Sequence, residues 1–268
     1  MLVCVDGTGA SDMAEYARIF ARSFVNRVKN EYLRAHPPPE AAPIHHRGPG
    51  ADRTDGMFGS FGGAHHVSPR FVVEEILVQR AALCETRDDD VISTPGPQMD
   101  ICWPRGGEGG DDDPRTKIYL VGHSRGGAIL IDVANMLNRR HIPVEAMFLF
   151  DAVDRSSELT AGDIPGNVSF CYHAMRDPVG NSRGSFGNCG TAAAGGVIFL
   201  AEHFMTTHGG MGGTPWGRTN PDDMTSFGTI TEHDPGGVTI LTPEMEASGM
   251  RAVENWMWPH LRRHGVVP

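Results

Sequence analysis

The chain has 268 residues, 40% of them apolar, which suits one large α/β domain with a sizeable core. A net charge of −10, from 33 acidic and 23 basic residues without a dense basic run, argues against nucleic acid as a partner. The five cysteines, at positions 4, 84, 102, 171 and 189, are too scattered for a disulfide framework or a zinc site and read as reduced thiols.

The chain starts with "MLVCVDGTG", a short apolar run entering a glycine-rich turn, as a buried parallel strand does. No charged leader with an apolar segment precedes it, and no apolar stretch approaches the roughly 18 residues of a membrane span. The expectation is synthesis in the cytoplasm, with signal-independent export left open. Asp12 and Glu15 form a capping box, and Ala17, Phe20, Phe24 and Val28 follow at helical spacing. One long helix through residue 34 is expected.

Residues 36–67 are rich in Pro, Gly and His and read as a loop whose length points to a function. "SPRFVVEEILVQRAALCE" reads as a second helix. Residues 87–115 carry acidic runs at 88–90 and 111–113 and read as a solvated insertion. A lid or substrate loop is the alternative for both stretches.

"TKIYLVGH" is the next strand, and "RGGAILIDVANMLNRR" is a helix apolar nearly all round, hence buried. "VEAMFLFDAVD" and "NVSFCYHAM" are further strands. "GGVIFLAEHFMTTHGGMGG" reads as a helical apolar stretch, then a histidine in a flexible glycine-rich turn. The last helix opens with Thr242 as N-cap and Pro243 in its first turn, and Met245, Val253 and Trp256 give it a core face. Strands alternating with helices predict a single domain over 1–268 with a mostly parallel central sheet and helices on both faces.

The stretch "IYLVGHSRGGAIL" carries the chemistry. Gly122-His123-Ser124-Arg125-Gly126 fits G-x-S-x-G, in which a strand turns so sharply into a helix that the serine stands exposed at the tip. Side chains two before and two after it would collide, so both positions take glycine. The strand before and the buried helix after are the context that makes Ser124 a candidate nucleophile. A serine needs a base, and the base needs an orienting acid. Asp151, at the tip of the strand "AMFLFD", is the candidate acid, with Asp154 and Asp177 as alternatives.

Among thirteen histidines, those before the acid do not fit the order serine, acid, histidine. His123 adjoins the serine, and its side chain should point away. His208, in "TTHGGMGG", is the favoured base, because glycines let its loop approach the site. His173, His203 and His233 stay open. The oxyanion donors are expected at the backbone N–H of Arg125 and at Thr8 in "DGTG".

The ordered set resembles the α/β-hydrolase domain of the type VI secretion phospholipase effectors and their wider bacterial and fungal serine-hydrolase family. The shared pieces are "VCVDGTG", the glycine-rich "HHRGPGADRTDGMFGSFGGA", "GHSRGG", "FLFDAV", "YHAM" and "HGGMGG". The resemblance implies an α/β-hydrolase fold, Ser124, Asp151 and His208 as the triad, and cleavage of carboxylic esters, including phospholipid acyl bonds, without metal or cofactor. It also implies an ester or lipid substrate and a transient membrane surface as partners. The chain departs from that pattern in the 87–115 insertion, in a short C-terminal region and in "MRDP" after "HA".

Three rivals remain. One is a hydrolase acting on small soluble esters or thioesters. A second is a hydrolase-fold binding module without turnover. The third is a metal site from His45, His46, His65 and His66 with Asp52 and Asp55, whose loop spacing is poor for a metal pair.

Overall fold

The computed structural model describes residues 1–9, 13–37, 42–48, 67–85, 117–154, 158–215, 224–225, 228–232 and 239–268. The expected capping box at Asp12 and the 87–115 insertion lie outside these residues. So do most of 36–67, His65, His66, Asp52, Asp55 and His233.

Among the described residues, six strands form one sheet in the order β2-β1-β3-β4-β5-β6. They are β1 (Leu2–Val5), β2 (Ile44–His46), β3 (Tyr119–His123), β4 (Val144–Phe150), β5 (Val168–Arg176) and β6 (Ile198–Phe204). Every neighbouring pair is parallel. The helices are α1 (Met13–Phe20), α2 (Phe24–Ala35), α3 (Pro69–Glu85), α4 (Arg125–Asn138), the single turn α5 (His208–Met211) and α6 (Pro243–Arg263).

The period-2 alternation of the strands divides the core in two. Val3, Val5, Leu120, Met147, Leu149 and Cys171 face Val72, Val73 and Ile76 of α3 and the apolar side of α4. Leu2, Cys4, Val121, Phe148, Phe150 and Tyr172 face Phe24, Val28 and Tyr32 of α2 and Val253, Met257, Trp258 and Leu261 of α6. Helices therefore cover both faces of a parallel sheet, as expected from the alternation of elements. Arg27 ties α2 to α6 through Glu254, and Trp258 Nε1 donates to Glu31 at 3.0 Å.

Four expectations are corrected. The long first helix is two helices, because Ser23 starts a new one: its Oγ accepts from Asn26 N–H at 3.1 Å. The Phe24 N–H leaves the helix ladder for the Gly212 carbonyl at 2.9 Å. The apolar stretch before His208 is the edge strand β6, not a helix, paired to β5 from Phe170↔Ile198 to Arg176↔Phe204. An apolar run of that length has no period that separates the two states. Within the 36–67 stretch, Ile44–His46 forms β2, paired with β1. On α6 the core face is Val253, Met257, Trp258 and Leu261, whereas Met245 is exposed. No helix among the described residues is long and apolar enough to cross a membrane.

The chain places β2 on one side of β1 and then β3 on the other. The carboxyl ends of β1 and β3 therefore flank the point where the strand order switches, which is where open α/β sheets bind ligands.

Candidate active site

Ser124 lies between β3 and α4 with φ 54° and ψ −130°. A non-glycine residue is strained there. The strain is held in place by the turn: the Ser124 N–H donates to the Phe150 carbonyl at 3.0 Å, and the Ser124 carbonyl accepts from Gly127 and Val153. Packing explains the flanking glycines. A Cβ on Gly122 would stand 2.8 Å from the Gly127 backbone, and one on Gly126 would stand 2.3 Å from the Val5 carbonyl oxygen. A parallel sheet with this strand order and a strained serine turn after β3 defines the architecture.

The chain has the α/β-hydrolase fold. In this fold the loop after β1 backs onto the serine turn. A Cβ on Gly7 would be 3.0 Å from Ser124 Cβ and 2.7 Å from His123 Nδ1. Thr8 follows Gly7, and its buried Oγ1 has no hydrogen-bond partner among the described residues. Beneath the loop, the Asp6 carboxylate is fully buried. It accepts from the Tyr16 hydroxyl and, at 3.3 Å, from Asn26 Nδ2, which also sits 2.7 Å from Tyr16 Oη. The break between α1 and α2 is what brings Tyr16 and Asn26 together here.

Ser124 Oγ lies 2.8 Å from His208 Nε2, and His208 Nδ1 lies 2.6 Å from Asp151 Oδ2. The serine and histidine each keep 8% of their surface, and the aspartate none. Asp151 follows β4 at φ 51°. Its Oδ2 also accepts from Arg176 Nη1 at 2.5 Å, and its Oδ1 accepts from Asn188 Nδ2 at 2.7 Å and from Arg176 N–H at 3.2 Å. Burial alone would raise this carboxyl. The Arg176 guanidinium and the bonds from His208 and Asn188 overcome it and hold the group well below the ordinary carboxylate range.

His208 opens α5, and the turn that carries it is buried and tied down rather than flexible. Thr207 caps it by accepting from Gly210 N–H at 2.9 Å. The Thr207 hydroxyl donates to Glu246 of α6, and Thr206 Oγ1 donates to the Glu246 carbonyl at 2.9 Å. The His208 N–H donates to Ser182 Oγ at 2.8 Å. Burial lowers the imidazole pKa, Asp151 raises it only in part, and Arg176 and Arg183 lower it further. The net direction is downward, which favours the neutral ring.

The other candidates stand elsewhere. His173 has both nitrogens on backbone: Nε2 accepts from Ala152 N–H at 3.1 Å, and Nδ1 lies 3.0 Å from the Gly190 carbonyl oxygen. It braces the Asp151 turn. His203 is exposed on β6. Asp154 pairs with Arg125 at 3.6 Å, and Asp177 caps the turn 178–180 by accepting from Val179 N–H at 2.9 Å. His45 contacts Tyr16 at 3.0 Å and His46 contacts Glu75 at 2.5 Å. Among the described residues, no three His, Cys, Asp or Glu side chains converge as a metal site.

Sequence reasoning missed Arg176, Asn188, Ser182 and Asn26. Arg176 alone left a signal, a charge directly after the apolar run "FCYHAM", where a buried cation needs a partner.

No family model and no curated protein matches the chain. Its structure is similar to the Tle1 effector bound to the VgrG spike of the type 6 secretion system (13% identity, TM-score 0.42, covering 82% of this chain and 51% of that one). It is also similar to an uncharacterized protein from Pseudomonas aeruginosa (12%, 0.43, covering 97% and 50%). A third similar structure is the RedJ thioesterase of prodiginine biosynthesis in Streptomyces coelicolor (13%, 0.33, covering 80% and 84%). The chain spans about half the length of the first two.

Proposed function

We propose that the chain is a serine hydrolase that cleaves carboxylic esters through an acyl-enzyme on Ser124. The observation that carries this is the row Ser124 Oγ–His208 Nε2–Asp151, at 2.8 and 2.6 Å, set at a strained strand-to-helix turn. In this reading His208 takes the serine proton as Oγ attacks the ester carbonyl carbon. It then gives that proton to the departing alcohol. Water repeats the sequence on the acyl-enzyme and releases the acid. Asp151 holds His208 with its proton on Nδ1 and stabilises the imidazolium. The N–H groups of Arg125 and Thr8 receive the oxyanion, each donor lowering the barrier by about 3 kcal/mol. The chemistry needs no metal and no cofactor.

The finer reading is a lipase or phospholipase that meets its substrate at a membrane surface. It rests on the ordered motifs from "VCVDGTG" to "HGGMGG" alone.

A fluorophosphonate probe tests the nucleophile. Wild type takes up label and Ser124→Ala does not; an unlabelled wild type overturns the reading. Short-chain p-nitrophenyl esters and phospholipid vesicles then separate the substrates. Ester turnover without fatty-acid release from vesicles removes the phospholipase reading and leaves the esterase.

A further inference from the structure

Arg176 is the last residue of β5, and its side chain is 6% exposed. Each nitrogen of its guanidinium is engaged. Nη1 donates to Asp151 Oδ2 at 2.5 Å, and Nε donates to the Ser182 carbonyl at 2.9 Å. Nη2 donates to the carbonyls of Arg183, at 3.4 Å, and Phe186. One cation therefore binds the carboxylate and folds the 182–186 segment around itself. That segment in turn holds His208. Ser182 Oγ accepts the His208 N–H at 2.8 Å, and the Phe186 ring meets the imidazole edge-on, with centroids 5.3 Å apart at 78°.

We propose that Arg176 is a positioning residue that sets the acid and the base of the Ser124–His208–Asp151 row with one side chain. This rests on the serine-hydrolase reading above. The fork geometry matters, because a guanidinium reaches a carboxylate and several carbonyls from one rigid plane and an ammonium does not.

The charge has a second effect. Arg176 and His208 share Asp151 Oδ2, so the imidazolium formed during acylation meets a carboxylate already paired with a cation. Arg176 therefore keeps His208 neutral to lower pH than an unshared aspartate would. Among the described residues, the other charged or titratable groups around His208 are Arg183 on the 182–186 segment, His123 on β3 and, behind them, Glu232 and Glu246. Glu232 accepts from Arg183 N–H at 3.0 Å, and Glu246 accepts from Thr207. His123 is held neutral, its pKa lowered to about 4 by burial and by His208. Among the described residues, Arg176 is the cation that touches the shared carboxylate oxygen.

The test uses the full chain and two readouts over pH 4.5–9: the rate of fluorophosphonate labelling and p-nitrophenyl acetate kinetics. Arg176→Gln removes the charge, and its acid limb moves up by about one pH unit while kcat falls on the order of 100-fold. Arg176→Lys keeps the charge but not the fork, so its acid limb stays near the wild-type position while kcat still falls and KM changes little. Ser182→Ala and Phe186→Leu slow labelling without moving the limb. If wild type is labelled and Arg176→Gln keeps the wild-type limb, or loses activity only in step with its folded fraction, the inference fails and the serine reading stands. If wild type is not labelled, the serine reading itself fails. Should neither Arg176 variant fold, unchanged labelling rates in both Ser182→Ala and Phe186→Leu overturn the inference, and slowed labelling supports it.

Discussion

The imidazole of His123 donates through Nε2 to the backbone carbonyl of His208 at 3.1 Å, with the two rings 5.1 Å apart at centroid. The residue before the serine thus holds the backbone of the residue that faces the serine. His123 is buried, and its Nδ1 has no partner among the described residues. With Nδ1 unpartnered, the ring's proton sits on Nε2, where it makes this bond. His123→Phe keeps the ring and removes the donor. The expected result is a loss of about 1–3 kcal/mol of stability, from a buried carbonyl left unpaired. Ester turnover should also drop about tenfold with little change in KM. Urea melts and steady-state kinetics read both; a variant with wild-type kcat would show that the His208 turn does not need this bond.

The backbone at Ser124 gives a prediction whose sign is unusual. At ordinary positions glycine is less stable than alanine by about 0.5–1 kcal/mol. At φ 54° and ψ −130° the order should invert, because alanine keeps the strain and glycine releases it. Ser124→Gly should therefore exceed Ser124→Ala in stability by about 1 kcal/mol, although neither has the hydroxyl. Denaturant midpoints of the two variants measure the difference. An alanine variant at least as stable as the glycine one would mean that the turn is unstrained in solution.

Close packing predicts which glycines tolerate a methyl group. A Cβ on Gly126 would lie 2.3 and 2.4 Å from the carbonyl oxygens of Val5 and Asp6, both backbone atoms that cannot rotate away. Gly126→Ala must push β1 and the Gly7–Thr8 turn away from Ser124. It should cost about 1–3 kcal/mol through overpacking, with labelling of Ser124 lost or much slowed. Gly195, with nothing within 4 Å of a built Cβ, is the control, and Gly195→Ala should change neither stability nor labelling. Equal behaviour of the two variants would contradict the packing of the serine turn against β1.

The sequence showed the parts of the fold that local physics determines. β1, β3, β4 and β5 are apolar runs closed by turn residues, and Ser124, Asp151 and His208 sit at their ends or in a glycine-rich turn, where a fold gathers polar groups. β6 reads as a helix from sequence because "VIFLA" is one unbroken apolar run without a period of two, although the structure puts Ile198 and Leu200 exposed at the sheet edge. The break at Ser23 was hidden because Phe20 and Phe24 keep helical spacing across it. Arg176, Ser182 and Asn188 could not be placed from sequence. Their roles depend on how the segment after β5 returns to Asp151 and His208, across 25, 26 and 37 residues of chain. Such long-range returns leave no local pattern at Ser182 or Asn188, and at Arg176 only a charge closing an apolar run, which does not say what it pairs with.

Buried histidines should make stability fall with acid well before the carboxylates titrate. His123 and His173 are both held neutral, their pKa values lowered from 6.5 to about 4, mainly by burial. In the unfolded chain each binds a proton near pH 6.5. Between about pH 6.5 and 4 the unfolded state therefore carries more protons, so the stability from these two groups is whole above that window and is lost as pH falls through it. Each contributes a slope of up to about 1.4 kcal/mol per pH unit, or about 3 together. Over the window that is on the order of the whole stability of a domain. His208, His260 and His264 are shifted the same way by burial and add to the slope. Asp151, held low by Arg176, loses its contribution only below the ordinary carboxylate pKa, near 4. Urea midpoints at pH 7.5, 6 and 5 should therefore fall steeply. His173→Gln replaces a titrating side chain with a non-titrating one and should flatten the slope by about one proton, whatever it does to stability at pH 7.5. Midpoints that hold steady from pH 7.5 to 5 would mean that these imidazoles are not buried as neutral groups.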